Sequence, residues 1–314
     1  MKAKVIFNPA AGNPAESALQ LVELLRDLQA QQIESEVMLV QPEMNLSAIA
    51  RRAVRGGAKW VIVSGGDGTI ENVALGLVGS HATLGIIPTG TRNNLAASLG
   101  IPTDSIAAAV GLLRMGRRLQ VDVGEMRQGR VSRLFLEAGA IGLASALYPS
   151  ADDIQHGDIG KIGEFIATFL SHTPSEIRLR LDGSRREIVT NAHLVLIANM
   201  PYMGANFQIA PDIGFDDHRL DVFVYSNLSK LDLIGQAIQL TTGTSDARIQ
   251  RYRARTVEIV TNPPMPVMAD GVSLGEGPVT TTVRPRGLAV MAGAAQPAPS
   301  LDHAAVGAPA EPDA

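Results

Sequence analysis

Trp60-Val61-Ile62-Val63-Ser64-Gly65-Gly66-Asp67-Gly68-Thr69-Ile70 is the stretch on which the reading of the fold turns. Four large apolar residues without polar alternation suit a strand buried on both faces, as in the middle of a parallel sheet. Gly65 to Thr69 read as a loop, and Ile70 to Val78 as a helix, which makes a strand–loop–helix unit. Glycines let the backbone approach a ligand closely, and a following helix start offers free N–H groups to phosphate. Asp67 would repel bare phosphate. Mg²⁺ carried with the phosphates removes that repulsion, since carboxylate oxygens suit a hard cation. The same residues also fit a tight turn in which Asp67 caps the helix.

Moving outward, the unit repeats. Lys4–Phe7 is a short apolar strand that stops at Asn8-Pro9-Ala10-Ala11-Gly12, and Ser17–Ala30 carries Leu21, Leu24, Leu25 and Leu28 at helical spacing. Glu36–Val40 reads as a strand, and Asn45 as the cap of a helix that ends at Gly56-Gly57. Leu84–Ile87 is the next strand, followed by Pro88-Thr89-Gly90-Thr91-Arg92-Asn93-Asn94-Leu95-Ala96. This alternation predicts an α/β, doubly wound N-terminal domain, in which loops after the strands gather where ligands bind. Thr91 and Asn93 could hydrogen-bond phosphate or ribose and Arg92 offset ligand charge, although an ordinary capped helix explains the segment about as well.

Past Gly124 the texture becomes strand-rich, with runs at Arg133–Glu137, Glu176–Leu181, Arg186–Val189, His193–Ala198, Leu220–Tyr225, Val257–Val260 and Val279–Val283. Two helices, Gly160–Leu170 and Lys230–Leu240, interrupt them, and a mostly antiparallel β-sandwich C-terminal domain is expected. The domain boundaries read as 1–124, 125–295 with the last segment free to return to the first domain, and a disordered Ala/Pro-rich tail over Gln296–Ala314. Ile162, Phe165, Ile166 and Phe169 recur at helical spacing; a core-packed helix fits them better than one resting on a bilayer. Arg248, Arg251, Arg253 and Arg255 form either a patch for anionic head groups or the polar face of a strand. His156 and His193 lack metal-like spacing.

Composition narrows the function classes. The 314 residues are 46% apolar and 18% charged, ample for a large core. A net charge of −4 argues against a general nucleic-acid binder. The absence of cysteine excludes disulfides, thiolate nucleophiles and Cys-ligated clusters. No run is long and apolar enough to cross a membrane, so a cytoplasmic protein is the expectation.

The three post-strand loops, in this order and spacing, resemble the diacylglycerol-kinase catalytic family, and more closely its soluble bacterial YegS-like lipid kinases. Asn8-Pro9…Gly12, Gly65–Thr69 and Pro88–Asn93 carry the likeness, which continues through Ala138-Gly139…Gly142, Pro211…Asp216-Asp217 and Asp270-Gly271. It implies ATP-dependent phosphorylation of a lipid hydroxyl, with nucleotide between the α/β domain and the sandwich. Asn8, Gly12, Gly65, Gly66, Asp67, Gly68, Thr69, Ile70, Glu71, Thr91 and Asn93 are then the ATP-binding positions. Gly214, Asp217 and Arg219 match a Mg²⁺ site, and Asp67 and Asp270 take catalytic roles. A lipid substrate also implies transient contact with the inner membrane surface, and the resemblance is compatible with a homodimer.

Several positions depart from the family pattern. Asn94 stands where an Asp is usual, Glu71-Asn72 are in swapped order, and Leu39-Val40-Gln41 lack a nucleotide-touching Thr. Val272 replaces the acid of an Asp-Gly-Glu element, which leaves Asp270 as general base; Glu276 is poorly spaced to substitute. These departures keep alternatives open: a weak or inactive nucleotide- or lipid-binding protein, or an NAD kinase-like enzyme, which shares the Gly-Gly-Asp-Gly-Thr loop.

Overall fold

A computed structural model describes residues 1–155, 158–203, 207–229, 232–233 and 248–293. The expected helix Lys230–Leu240 lies almost entirely outside the described residues, and His156 and the tail Gln296–Ala314 lie wholly outside them.

The N-terminal alternation forms. Strands β1 (Lys2–Phe7), β2 (Glu34–Leu39), β3 (Trp60–Gly65) and β4 (Thr83–Pro88) lie parallel in the order β4-β3-β1-β2. Helices α1 (Ser17–Ala30), α2 (Leu46–Arg55) and α3 (Asp67–Leu77) connect them. Asn45 caps α2, its Oδ1 accepting from the Ala48 amide at 2.9 Å. The core on both faces is apolar, with Val61, Ile62, Val63 and Leu84 of the central strands fully buried against Leu24, Leu28, Val73 and Leu77. One expectation shifts: Asp67, Gly68 and Thr69 are the first turn of α3 and not a loop. Gly66 is extended and serves as the N-cap, and its carbonyl accepts from Thr69 and Ile70 amides at 3.0 Å each, so Asp67 sits inside α3 and does not cap it. Two short helices follow β4: α4 (Asn94–Ser98), and α5 (Ile106–Met115) capped by Ser105.

The rest of the chain is mostly antiparallel. It comprises β5 (Arg117–Gln128), β6 (Val131–Phe135), β7 (Ala138–Gly142), α6 (Leu143–Gln155), α7 (Ile162–Ser171), β8 (Ser175–Leu181) and β9 (Ile188–Ala198). After the short pair β10 (Tyr202–Met203) and β11 (Phe207–Gln208) come β12 (Leu220–Ser226), β13 (Ile249–Ala254), β14 (Thr256–Asn262), β15 (Pro266–Ala269), β16 (Val272–Glu276) and β17 (Val279–Ala292). A second core, built on Ile177, Val195, Val222, Val257 and Val267, fills this sandwich-like region.

Four sequence expectations are corrected here. Ile188 and Val189 of the run Arg186–Val189 belong with His193–Ala198 to one strand, β9, because the intervening Thr190-Asn191-Ala192 keep their backbone ladder to β8 whatever their polarity, while Arg186 and Glu187 precede the strand. The run Arg133–Glu137 stops at Phe135, since the next three amides turn to a carboxylate described below. A further helix, α6, interrupts the strands. Finally α7 is not core-packed: it rests on α6 and buries none of its residues. Phe169 leans on the core, but Ile159, Ile162, Ile166 and Leu170 are between 46% and 73% exposed. A helix that packs on another helix at the surface leaves the outer half of its circumference to solvent.

The arginine cluster takes the strand-face reading. Arg251 bonds Asp221 and Asp212 at 2.7 and 2.8 Å, Arg253 pairs with Asp217, and Arg248 with Asp232 at 3.0 Å. β17 joins the two halves. Its first part pairs with β14, its last residues lie parallel to β4, and β5 runs antiparallel along its whole length.

Candidate active site

The three loops that follow β1, β3 and β4 meet at the carboxyl ends of these strands. Asn8 Nδ2 donates to Thr69 Oγ1 at 2.7 Å, and its amide donates to Ser64 O at 2.9 Å, which ties the first loop to the second. The second and third loops touch through glycines: a Cβ on Gly90 would lie 2.3 Å from the Gly66 Cα. Gly12 has φ +65°, and a side chain there would drive into the Thr89 carbonyl at 2.2 Å. These glycines are needed for close approach of backbone to backbone. Gly68 differs, because a Cβ there would meet nothing within 4 Å and would face open space.

Asp67 joins α3 to the third loop. Its Oδ2 accepts from the Asn93 amide at 2.9 Å, and Asn93 holds a left-handed φ of 59° while its side chain closes on both backbone groups of Gly90. Oδ1 of Asp67 is buried and has no partner among the described residues. Burial outweighs the backbone donors and raises the Asp67 carboxyl above its ordinary range. Thr91 is exposed at the loop tip. Ile70, although in the predicted set, turns its side chain fully into the core and gives its amide to Gly66 O.

Across from these loops lies the turn between β15 and β16. Asp270 has φ 40° and Gly271 φ 74°. The Asp270 carboxylate accepts three amides, Leu136 at 2.6 Å, Glu137 at 3.1 Å and Ala138 at 2.9 Å. Burial nevertheless pushes its pKa up to about 6. Glu71, half-buried on the first turns of α3, pairs with Arg133 of β6 at 3.0 Å. Burial first, then repulsion from Asp270, raises Glu71 to about 8. A fourth acid, Glu137, completes the group: its Oε2 lies 3.5 Å from Asn94 Nδ2, and Asp270, Asp67 and Glu71 all repel its charge. Sequence reasoning passed over Glu137 and Arg133. The available signal was one acid set between Leu136 and the small, apolar run Ala138-Gly139-Ala140-Ile141, a place where a charge needs a reason.

Val272 is 40% exposed at the start of β16, and Glu276 stands exposed at the far end of that strand, outside the group of acids. Gly214, Asp217 and Arg219 do come together in a separate turn. Asp217 Oδ1 accepts the Arg219 amide at 3.0 Å, and a Cβ on Gly214 would sit 2.9 Å from Oδ2. The countercharge there is already Arg253, which a cation would have to displace. Nearby Asp122 is fully buried and accepts His218 and Arg286 amides. Among the described residues no three His, Cys, Asp or Glu side chains form a metal-holding group. A cation beside Asp67 would therefore take most of its ligands from phosphate and water, as Mg²⁺ ordinarily does.

Comparison with known proteins agrees with this arrangement. The chain matches the family described as diacylglycerol kinase catalytic domain over residues 2–126, and that described as YegS C-terminal NAD kinase beta sandwich-like domain over residues 162–292. It is 30% identical over 224 residues to a diacylglycerol kinase of Mycobacterium tuberculosis, spanning 70% of this chain and 72% of that one. Identity to a diacylglycerol kinase of Bacillus subtilis is 25% over 277 residues, 86% and 89% of the two chains. A crystal structure of a diacylglycerol kinase from Bacillus anthracis shares the fold, with a TM-score of 0.72 at 24% identity over 93% of this chain and 96% of that one.

Proposed function

The chain belongs to the diacylglycerol kinase catalytic family of lipid kinases, and on that premise we propose that it transfers the γ-phosphoryl group of ATP to the hydroxyl of a diacylglycerol-like lipid. The observation that carries this reading is the meeting of three glycine-bearing loops around Asp67, whose buried Oδ1 lacks a partner, opposite a turn that presents Asp270. Asn8, Gly12, Gly65 to Thr69, Thr91 and Asn93 form the nucleotide side, where backbone groups and the start of α3 receive the phosphates, whereas the Ile70 side chain lies in the core and Glu71 is paired with Arg133. Asp67 is the residue that would hold Mg²⁺. When bound, that ion would neutralise charge on the phosphates. Asn93 fixes the Asp67 carboxylate, and the contact of Gly66 with Gly90 keeps the two loops at one spacing. Such positioning is most of what phosphoryl transfer asks of a protein.

The turn of Gly214, Asp217 and Arg219 fits a second cation only in part, because Arg253 already balances Asp217, and no step is assigned to it. The acceptor side is the region of Asp270, α6 and α7. Tyr148 of α6 packs against Gly271, and α7 rests on α6, so the exposed Ile162, Ile166 and Leu170 belong to the same helix pair that reaches the Asp270 turn. That apolar stripe supports peripheral membrane contact. No described helix is long and apolar enough to cross a bilayer.

The test is release of ADP from ATP with a panel of diacylglycerols and long-chain alcohols, with NAD, and with no acceptor. Lipid-dependent release that Asp67→Ala abolishes is the expected result. Release with NAD alone would replace this reading by an NAD kinase-like one. Nucleotide binding without transfer to any acceptor would make the chain a binding protein.

A further inference from the structure

We infer that Glu137 is a catalytic residue of this site, the carboxylate that accepts the proton of the attacking hydroxyl; the inference rests on the kinase reading above. It starts from what Asp270 is already doing. Three amides from one short segment hold both oxygens of Asp270, and the Asp270 amide returns a bond to Ala138 O at 3.0 Å. Hydrogen bonds of this kind favour the charged form, against the burial that raises Asp270 to about 6, and here they engage both of its oxygens. They also direct its oxygens toward the β6–β7 connection. Asp270 thus acts as a positioning residue that closes this corner of the site.

Glu137 lies in the segment that Asp270 holds. Its amide is one of the three donors, and its carbonyl accepts from Asn199 and Met200 at 2.9 and 3.1 Å. The backbone is therefore pinned from both sides, while the side chain extends toward the loop after β4. Among the described residues its carboxylate receives one long hydrogen bond, from Asn94 Nδ2 at 3.5 Å. Among the described residues no cation pairs with it, and Arg133, the nearest cation in sequence, is committed to Glu71 at 3.0 Å. An acid without a salt bridge, set among Asp270 from the β15–β16 turn and Asp67 and Glu71 from α3, works against the fold. Perturbed acids in a cleft are candidates for function for this reason. Burial, and then repulsion from those three acids, pushes its carboxyl well above the ordinary range, so that once ionised it holds a proton more firmly than an ordinary carboxylate does. Asn94 completes the case: a carboxylate at that position would repel Glu137, whereas the amide can donate to it.

The step balances simply. The acceptor hydroxyl oxygen forms a bond to the γ-phosphorus, and the bond from that phosphorus to the β–γ bridging oxygen breaks, its electron pair leaving with ADP. The hydroxyl proton passes to a Glu137 carboxylate oxygen and then to solvent.

Glu137→Gln keeps the shape and the Asn94 neighbour but cannot take the proton. With saturating ATP and the best lipid acceptor, kcat should fall roughly 10²–10⁴-fold. The rise of kcat with pH should flatten, while nucleotide Kd stays that of the parent and the melting temperature does not fall. Asp270→Asn should instead lower the melting temperature, since it weakens the three-amide anchor. Glu137→Gln with parental kcat and an unchanged pH profile would overturn the inference and leave the kinase reading intact. Loss of nucleotide binding and of stability in Glu137→Gln would overturn it too, by showing a structural role. If the parent transfers phosphate to no lipid, the kinase reading itself falls and takes the inference with it.

Discussion

Gly68 and Glu71 sit three residues apart on α3 and ask different things of their surroundings. Gly68 is exposed, lies in a helical turn, and has empty space where its side chain would be. Replacing a helical glycine by alanine is worth up to ~1 kcal/mol of stability. Gly68→Ala should therefore melt at or above the parental temperature while ATP affinity falls by about tenfold or more, if the space is kept for phosphate. Isothermal titration beside a melting curve would check both halves, and undiminished affinity would place the nucleotide elsewhere. For Glu71 the sign follows from its raised pKa: the folded protein keeps a proton that the unfolded chain releases near 4.5. Stability of the ligand-free protein should then fall as pH rises from about 4.5 to about 8, and Glu71→Gln should flatten that slope. Melting temperatures across that range would show it. At this scale the glycine loop and Asp67 were legible, because few local sequences other than a ligand loop need Gly-Gly-Asp-Gly after a buried strand. Glu137 was not legible, because its meaning comes from Asp270, which is 133 residues away in sequence.

Among elements, periodicity served well where a helix covers a sheet and failed where it does not. The span Ser17–Ala30 is the same in sequence and structure because Leu24 and Leu28 are buried at helical spacing beneath it. The same apolar spacing in α7 reads as core, yet its stripe faces outward, and periodicity alone carries no information on which face is covered. β7 escaped notice for the opposite reason: Ala-Gly-Ala-Ile-Gly has no strand preference of its own and is held by β9 and β15 on either side. The exposed stripe yields a prediction proper to the element. Ile162→Asp together with Ile166→Asp removes two buried-on-binding side chains of roughly 1.5–3 kcal/mol each. Sedimentation with phospholipid vesicles should drop by an order of magnitude or more, while phosphorylation of a short-chain, dispersed acceptor stays near parental. Equal sedimentation of both proteins would mean that α7 does not meet the bilayer.

For the whole molecule the decisive element is β17. Alternation of strands and helices revealed the first half of the fold, but no local signal tells a chain that its fourteen-residue closing strand will lie between β4 and β5, which come long before it. Backbone pairing across such a distance is set by topology and by the shared burial of Leu288, Val290 and Ala292 with the first core. A fragment of residues 1–126, although it contains the whole stretch that matches the diacylglycerol kinase catalytic domain, should therefore be poorly folded alone. Its β4 would be an open edge with β5 unpaired beside it. Aggregation or weak amide protection of that fragment, and recovery when residues 266–293 are supplied in trans, is the expected outcome; a monomeric, cooperatively melting fragment would contradict it.

That arrangement also imposes an order in time. Synthesis is vectorial at ~5–20 residues per second, so the β4 edge waits on the order of ten seconds or more before its neighbour leaves the ribosome. During that interval the nascent chain can hold its first helices and parallel strands, but the loops that surround Asp67 rest on an unfinished sheet. Nucleotide affinity should then arrive late in translation and all at once, with the emergence of the last strand.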